Sequence, residues 1–130
     1  LVTIAAAPDF TEDGFWAGFS DQQKSEVTDK GITFLPSDYG DPYPITRRLI
    51  EDGRDHLILR SPFPVDFPVR MLQGDLDQSV TRETALRLFD HMDGNDIHLS
   101  FIKGGDHSLS SPENLKVLEN HLETLIAFLE

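Results

Sequence analysis

Three short apolar runs along the chain have strand character: Leu1 to Ala7 (LVTIAAA), Pro68 to Gln73 (PVRMLQ) and Ile97 to Ile102 (IHLSFI). The first two are almost continuously apolar, the pattern of strands covered on both faces in a parallel sheet, whereas the third alternates more. Between the last two, TRETALRLFDHMDG places Ala85, Leu86, Phe89 and Met92 at helical spacing, and Gly94 follows as a stop. The pattern therefore predicts a strand, helix, strand unit. Beyond the third run, Ser111 stands where an N-cap belongs and Pro112 where a first helical residue can lack its N–H. Leu115, Leu118, Leu122, Leu125 and Leu129 then form an apolar stripe, which predicts a closing helix.

The stretch from Phe10 to Pro68 breaks this rhythm. Gly14, Gly31, Gly40 and Gly53, with the prolines that run from Pro8 to Pro68, interrupt short helical patterns such as DGFWAGF and ITRRLIEDG. Such a segment reads as an insertion or lid rather than as part of an alternating unit. DYGDPYP, residues 38 to 44, reads equally as a substrate-facing loop or a plain connection. In SPFPVDFP, residues 61 to 68, each proline fixes its own backbone and biases its predecessor away from helix, giving a stiff, extended lead into the second strand. The expectation is one α/β domain: a core strand over 1–9, a lid-like insertion over 10–67, and a strand-helix-strand-helix portion over 68–130.

Composition narrows the partners. With 130 residues the chain has room for one core, and 38% apolar residues is a globular proportion. No run is long enough to span a bilayer. A formal net charge of −12 disfavours nucleic acid or an anionic membrane, both of which attract Lys and Arg, and leaves small molecules or proteins. The absence of cysteine removes disulfides, thiolate metal sites and a cysteine nucleophile. LVTIAAAP has no basic n-region before its apolar run. It reads as a core strand that starts abruptly, as if preceding sequence were missing, and the expected location is cytoplasmic.

The candidate chemistry lies beyond two of the strands. The second strand runs into QGDLDQSV and the third into KGGDH. Functional loops of an open α/β sheet gather outside the carboxyl ends of its parallel strands, so Asp75, Asp77 and His107 are expected along one edge. Asp77 and His107 are 30 residues apart, the span of one helix and one strand. A serine hydroxyl becomes a nucleophile when an imidazole takes its proton, and the imidazolium so formed needs a fixed carboxylate on its other nitrogen. Glycines before the acid and before the histidine let the backbone turn sharply. Taken singly, a Gly-Asp turn or a loop histidine is ordinary; the pair, in this order at two strand ends, favours function. His56, His91, His98 and His121 show no shared metal spacing, and no metal site is expected. Phe10, Phe15, Trp16 and Phe19 read either as the lining of an acyl pocket or as a helix face packed on a core.

Gly74-Asp75-Leu76-Asp77-Gln78-Ser79-Val80 resembles the G-x-x-D-x-x-V acid loop of α/β-hydrolases, and Gly105-Asp106-His107 resembles their histidine loop. SPFPVDFPVRMLQGDLDQSV and the preceding segment are similar to the acyl-protein thioesterase and acyl-glucuronide esterase branch related to the mitochondrial protein depalmitoylase. The resemblance implies a doubly wound, mostly parallel sheet with a helical lid. It places the triad acid on Asp77 and the general base on His107, and leaves Asp75 as a turn residue. It further implies a serine esterase or thioesterase working through an acyl-enzyme on a small-molecule or acylated-protein substrate, without a cofactor, with Phe15, Trp16 and Phe19 on the acyl group. The chain departs from the family in one respect: it holds no G-x-S-x-G elbow. Ser20, in AGFSDQ, has Gly18 before it but Gln22 where the second glycine belongs, and Ser108, Ser110 and Ser111 follow the histidine as turn and cap residues. The chain thus resembles the C-terminal half of such an enzyme, whose missing N-terminal half would bring the nucleophile. The competing expectation is a non-catalytic α/β module that binds a protein or small ligand through acidic loops.

Overall fold

The computed structural model describes residues 1–37 and 40–129. In chain order its elements are β1 (Val2–Ile4), a π-helix (Phe10–Trp16), α1 (Asp21–Ser25), a second π-helix (Glu26–Lys30), β2 (Ile32–Leu35) and β3 (Tyr43–Thr46). These are followed by α2 (Arg47–Arg54), β4 (Phe63–Pro64), β5 (Val69–Gly74), α3 (Arg82–His91), β6 (Met92–Asp93), β7 (Ile97–Ile102) and α4 (Pro112–Leu129). They form two compact units, Leu1–Ala7 with Leu59–Glu130, and Pro8–Ile58.

The first unit is built on a parallel sheet in the order β1-β5-β7. Val2 faces Arg70 and Ile4 faces Leu72 in one ladder; Val69 faces Ile97 and Gly74 faces Ile102 in the other. Every residue of the central strand β5 is buried, as its nearly unbroken apolar run requires. Val69 and Met71 pack with Leu59, Val65 and Leu88 into one core. With its parallel strands and helices, the chain has an α/β fold. The first apolar run supplies only a three-residue strand, because Ala5 adopts a left-handed backbone (φ 49°) and turns the chain away.

Thr81 caps α3 by accepting from the Thr84 amide. Ala85 and Leu88 form the buried face of this helix, while Leu86 is 42% exposed. Met92 leaves the helix in an extended conformation and pairs with Phe63 in a short parallel ladder, β4 with β6. The SPFPVDFP stretch is thus tied to the end of α3. Ser111 begins α4 by accepting from the Asn114 amide. Its stripe is open: Leu115 and Leu122 are exposed, and Leu118 and Leu125 only half-buried.

In the second unit, β2 and β3 pair antiparallel. Phe19, Val27, Ile45 and Ile50 form a core of their own, with Phe15, Trp16 and Leu35 packed against it. Thr46 caps α2, and Gly53 on that helix lies so close to Thr11 that a Cβ there would overlap the threonine side chain. Arg54 reaches the Glu12 carboxylate at 2.6 Å. Of the DYGDPYP segment, Asp38 and Tyr39 lie outside the described residues, and Tyr43 and Pro44 belong to β3.

Candidate functional site

The carboxyl ends of β5 and β7 lie side by side, and the loops that follow them are joined by backbone. The Asp75 amide donates to the Ile102 carbonyl and the Leu76 amide to the Gly105 carbonyl, both at 3.0 Å. A side chain on Gly74 would overlap the carbonyls of Gly105 and Asp106, and one on Gly105 would run into Leu109 and Gly74. Both glycines are therefore required for close approach. The histidine loop is further shaped by Gly104 (φ 72°) and Leu109 (φ 47°), both left-handed. Leu109 is anchored by its buried side chain and by its amide, which donates to Asp106 Oδ1.

Asp75 does more than turn the chain. Its carboxylate accepts from Lys103 Nζ at 2.6 Å and from the Gly104 amide, so it ties the acid loop to the start of the histidine loop. The Lys103 ammonium, helped by the Gly104 amide, holds this carboxyl below the usual range against the opposing effect of desolvation.

Asp77 is held from both sides. Oδ1 accepts from the amides of Ser79 (2.8 Å) and Val80 (2.9 Å), a local turn motif of aspartate. Oδ2 accepts from Gln73 Nε2 and meets His107 Nδ1, each at 3.0 Å. The carboxylate side chain has no exposed surface, whereas that of His107 is 52% exposed. Burial pushes the Asp77 carboxyl up, but the Val80 amide, His107, the Ser79 amide and Gln73 together outweigh it and leave the value lowered. Asp77 is thus ionised at neutral pH and can only accept. It follows that Nδ1 of a neutral His107 carries the proton, which leaves Nε2 as the basic nitrogen.

The structure brings Asp77 and His107 together and places Asp75 beside them. Gln73 was not singled out by the sequence, although an amide at the end of a buried apolar strand is a visible signal, since a polar side chain there needs partners. Ser20 is the N-cap of α1, where it accepts from the Gln23 amide while Gln23 returns a bond to the Ser20 amide. Phe15, Trp16 and Phe19 lie around the core of the second unit: Phe15 and Phe19 stack at 6.5 Å, Trp16 meets Phe19 edge-on, and Phe19 is buried. Trp16 also lines a concavity of about 270 Å³ with Val27, Thr28, Arg47, Ile50 and Arg54. His98 is placed 3.4 Å from Asp96, and Nδ1 of His91 contacts the Arg87 carbonyl. Among the described residues no three metal-ligating side chains converge, and no helix is long and apolar enough to cross a membrane.

No family model matches the chain. It is 31% identical, over 128 residues, to a protein of Mus musculus named palmitoyl-protein thioesterase ABHD10, mitochondrial; the match covers 97% of this chain and 43% of that relative. A solved structure of a putative hydrolase from Agrobacterium vitis superimposes with a TM-score of 0.90 at 34% identity, covering 96% of this chain and 48% of the other. The structure of mouse α/β hydrolase domain-containing protein 10 gives 0.86 at 29% identity, covering 100% of this chain and 52% of that one. The chain spans less than half the length of the curated relatives it matches. Those relatives are all named mitochondrial, which overturns the expected cytoplasmic location. Cellular address is written in targeting segments, not in the composition of a folded core, so nothing in the strands or charges carried it. With its parallel sheet, its two strand-end loops and these superpositions over nearly all of its length, the chain has an α/β-hydrolase fold and fits the α/β-hydrolase superfamily.

Proposed function

We propose that this chain supplies the acid and the histidine of a serine hydrolase that cleaves an acyl ester or thioester through an acyl-enzyme. The observation that carries this reading is the contact between a fully shielded Asp77 carboxylate and a half-exposed His107 imidazole beyond the carboxyl ends of two parallel strands. The donors around the acid fix it as a charge and an acceptor, and exposure leaves Nε2 able to meet a hydroxyl.

In this mechanism Nε2 takes the proton of a serine hydroxyl as its oxygen attacks the acyl carbonyl, while Asp77 stabilises the imidazolium on the Nδ1 side. The imidazolium then returns that proton to the departing alkoxide or thiolate, leaving the acyl group on serine. Water repeats the sequence: its oxygen attacks the acyl carbon as His107 takes its proton, His107 returns that proton to the serine oxygen as the acyl-serine bond breaks, and the carboxylic acid leaves. The nucleophile lies outside these residues, because the chain has no G-x-S-x-G and Ser20 is committed to capping a helix. The name of the ABHD10 relatives favours a long-chain acyl thioester on a protein as substrate.

The test uses the full-length polypeptide that contains this segment. A serine-directed fluorophosphonate probe should label it, and hydrolysis of an S-palmitoyl peptide should require His107. Absence of both labelling and hydrolysis in the folded protein would remove the proposal.

A further inference from the structure

Gln73 is the penultimate residue of β5, is 1% exposed, and with Arg70 is a buried polar side chain of its unit. Its terminal nitrogen lies among three oxygens: Asp77 Oδ2 at 3.0 Å, the Val80 carbonyl at 2.9 Å and the Gly74 carbonyl at 3.4 Å. All three are acceptors, so the amide must present its NH2 group to them; the reverse orientation would set oxygen against oxygen. One of those acceptors is the same oxygen that His107 Nδ1 meets.

We propose that Gln73 is a positioning residue: its amide fixes Asp77 Oδ2 on the line to His107 Nδ1, and so fixes which nitrogen of His107 carries the proton. This role rests on the hydrolase reading for its consequence in turnover, but not for its geometry. The backbone amides of Ser79 and Val80 hold Oδ1 alone and leave the carboxylate free to turn about that oxygen. Gln73 is the neutral donor that arrests the turn. A cationic donor in its place would draw the Asp77 charge away from the imidazolium, and an apolar side chain would leave the Val80 carbonyl and Oδ2 each short of a buried partner.

The test compares Gln73→Met, which keeps the volume and removes the donor, with Gln73→Glu, whose carboxyl beside the Asp77 anion retains a proton near neutrality and so still donates. In the full-length protein, the ring nitrogen shifts of His107 in its neutral form report the tautomer by NMR, and kcat and KM report turnover. We expect the proton on Nδ1 in the native chain and divided between the two nitrogens in Gln73→Met. For Gln73→Met we also expect kcat to fall roughly tenfold with KM unchanged, the scale of loss when a supporting partner is removed. Gln73→Glu should stand between the native protein and Gln73→Met at about pH 7, because it keeps a donor.

A residue that only fills space gives the opposite order, since methionine is the easier side chain to bury. The proposal is overturned if Gln73→Met keeps the Nδ1 tautomer and the native kcat, or if Gln73→Glu is the more damaged of the two. Should Gln73→Met fail to fold, the tautomer in Gln73→Glu decides: Nδ1–H retained near neutrality supports the role, and its loss contradicts it. If the full-length protein hydrolyses nothing, the hydrolase reading falls, while the nitrogen shifts still decide the positioning claim.

Discussion

Asp77 Oδ2 and His107 Nδ1 are 3.0 Å apart, yet the carboxylate has no exposed surface while half of the imidazole has. Two groups in contact thus occupy different media. The acid is locked as an anion by four donors, and Nε2 is the basic nitrogen of the neutral imidazole. Asp77→Asn retains the shape but can present an amide N–H toward Nδ1, which favours the wrong tautomer. In the full-length protein this exchange should lower kcat by about 10,000-fold, the cost of the same change in a serine-protease triad. Circular dichroism should show an unchanged fold. A fall of only a fewfold, measured on a thioester substrate, would detach Asp77 from the chemistry.

Gly74 and Gly105 make the approach of the two loops possible. Gly74→Ala sets a methyl group against two carbonyls, and backbone has little room to yield. Overpacking of this kind costs about 1–3 kcal/mol. Thermal unfolding of the variant should shift down accordingly, and turnover should drop further than the stability loss explains because the histidine loop is displaced. Native stability in Gly74→Ala would show that the loops are not in contact.

Arg70 and Asp96 secure the opposite end of the sheet. Arg70 Nη1 lies 2.7 Å from Asp96 Oδ1, and the guanidinium is nearly buried beside the ladder. This contact with Arg70 holds the Asp96 carboxyl below its ordinary value. A carboxyl lowered by folding stabilises the native state at pH values above its unfolded pKa, roughly 4, and the contribution disappears as pH falls through the folded value. Urea unfolding should therefore find Asp96→Asn less stable than the native chain at pH 7, by a margin that shrinks as the pH falls below about 4. A constant difference across that range would assign the effect to packing instead.

Ser20 offers a control. As the cap of α1, it should contribute about 1 kcal/mol of stability. Ser20→Ala should lower the urea midpoint of unfolding slightly and leave thioester hydrolysis by the full-length protein at its native rate.

The sheet was legible because β5 is buried along its whole length and its residues, Arg70 and Gln73 apart, are those of a covered strand. The two loops were legible because a glycine, an acid and a histidine each have a distinct reason to stand at a strand end. Where several solutions satisfied one pattern, the sequence could not choose. The helical spacing put Leu86 on the apolar face, but it is Leu88 that packs in the core with Val69 and Met71, and Leu86 is exposed. Met92 continued the helical spacing, but the extended Phe63 segment drew it into a ladder. The stripe on α4 was read correctly as periodicity, although periodicity does not say how deeply a helix will be buried. Asp75 binds Lys103, distant along the chain, and Gln73 is linked to His107 only by way of the Asp77 carboxylate that both meet. Such roles follow from three-dimensional neighbours and leave only a faint local mark.

The most direct measurement is hydrolysis of an S-palmitoyl peptide by the full-length protein, native and His107→Ala, with folding checked on both. The account predicts turnover in the native protein, a loss of at least about 1,000-fold in the variant, and no activity in the 130-residue chain alone. Equal turnover with and without His107, or activity of the isolated chain that Ser20→Ala abolishes, would contradict it.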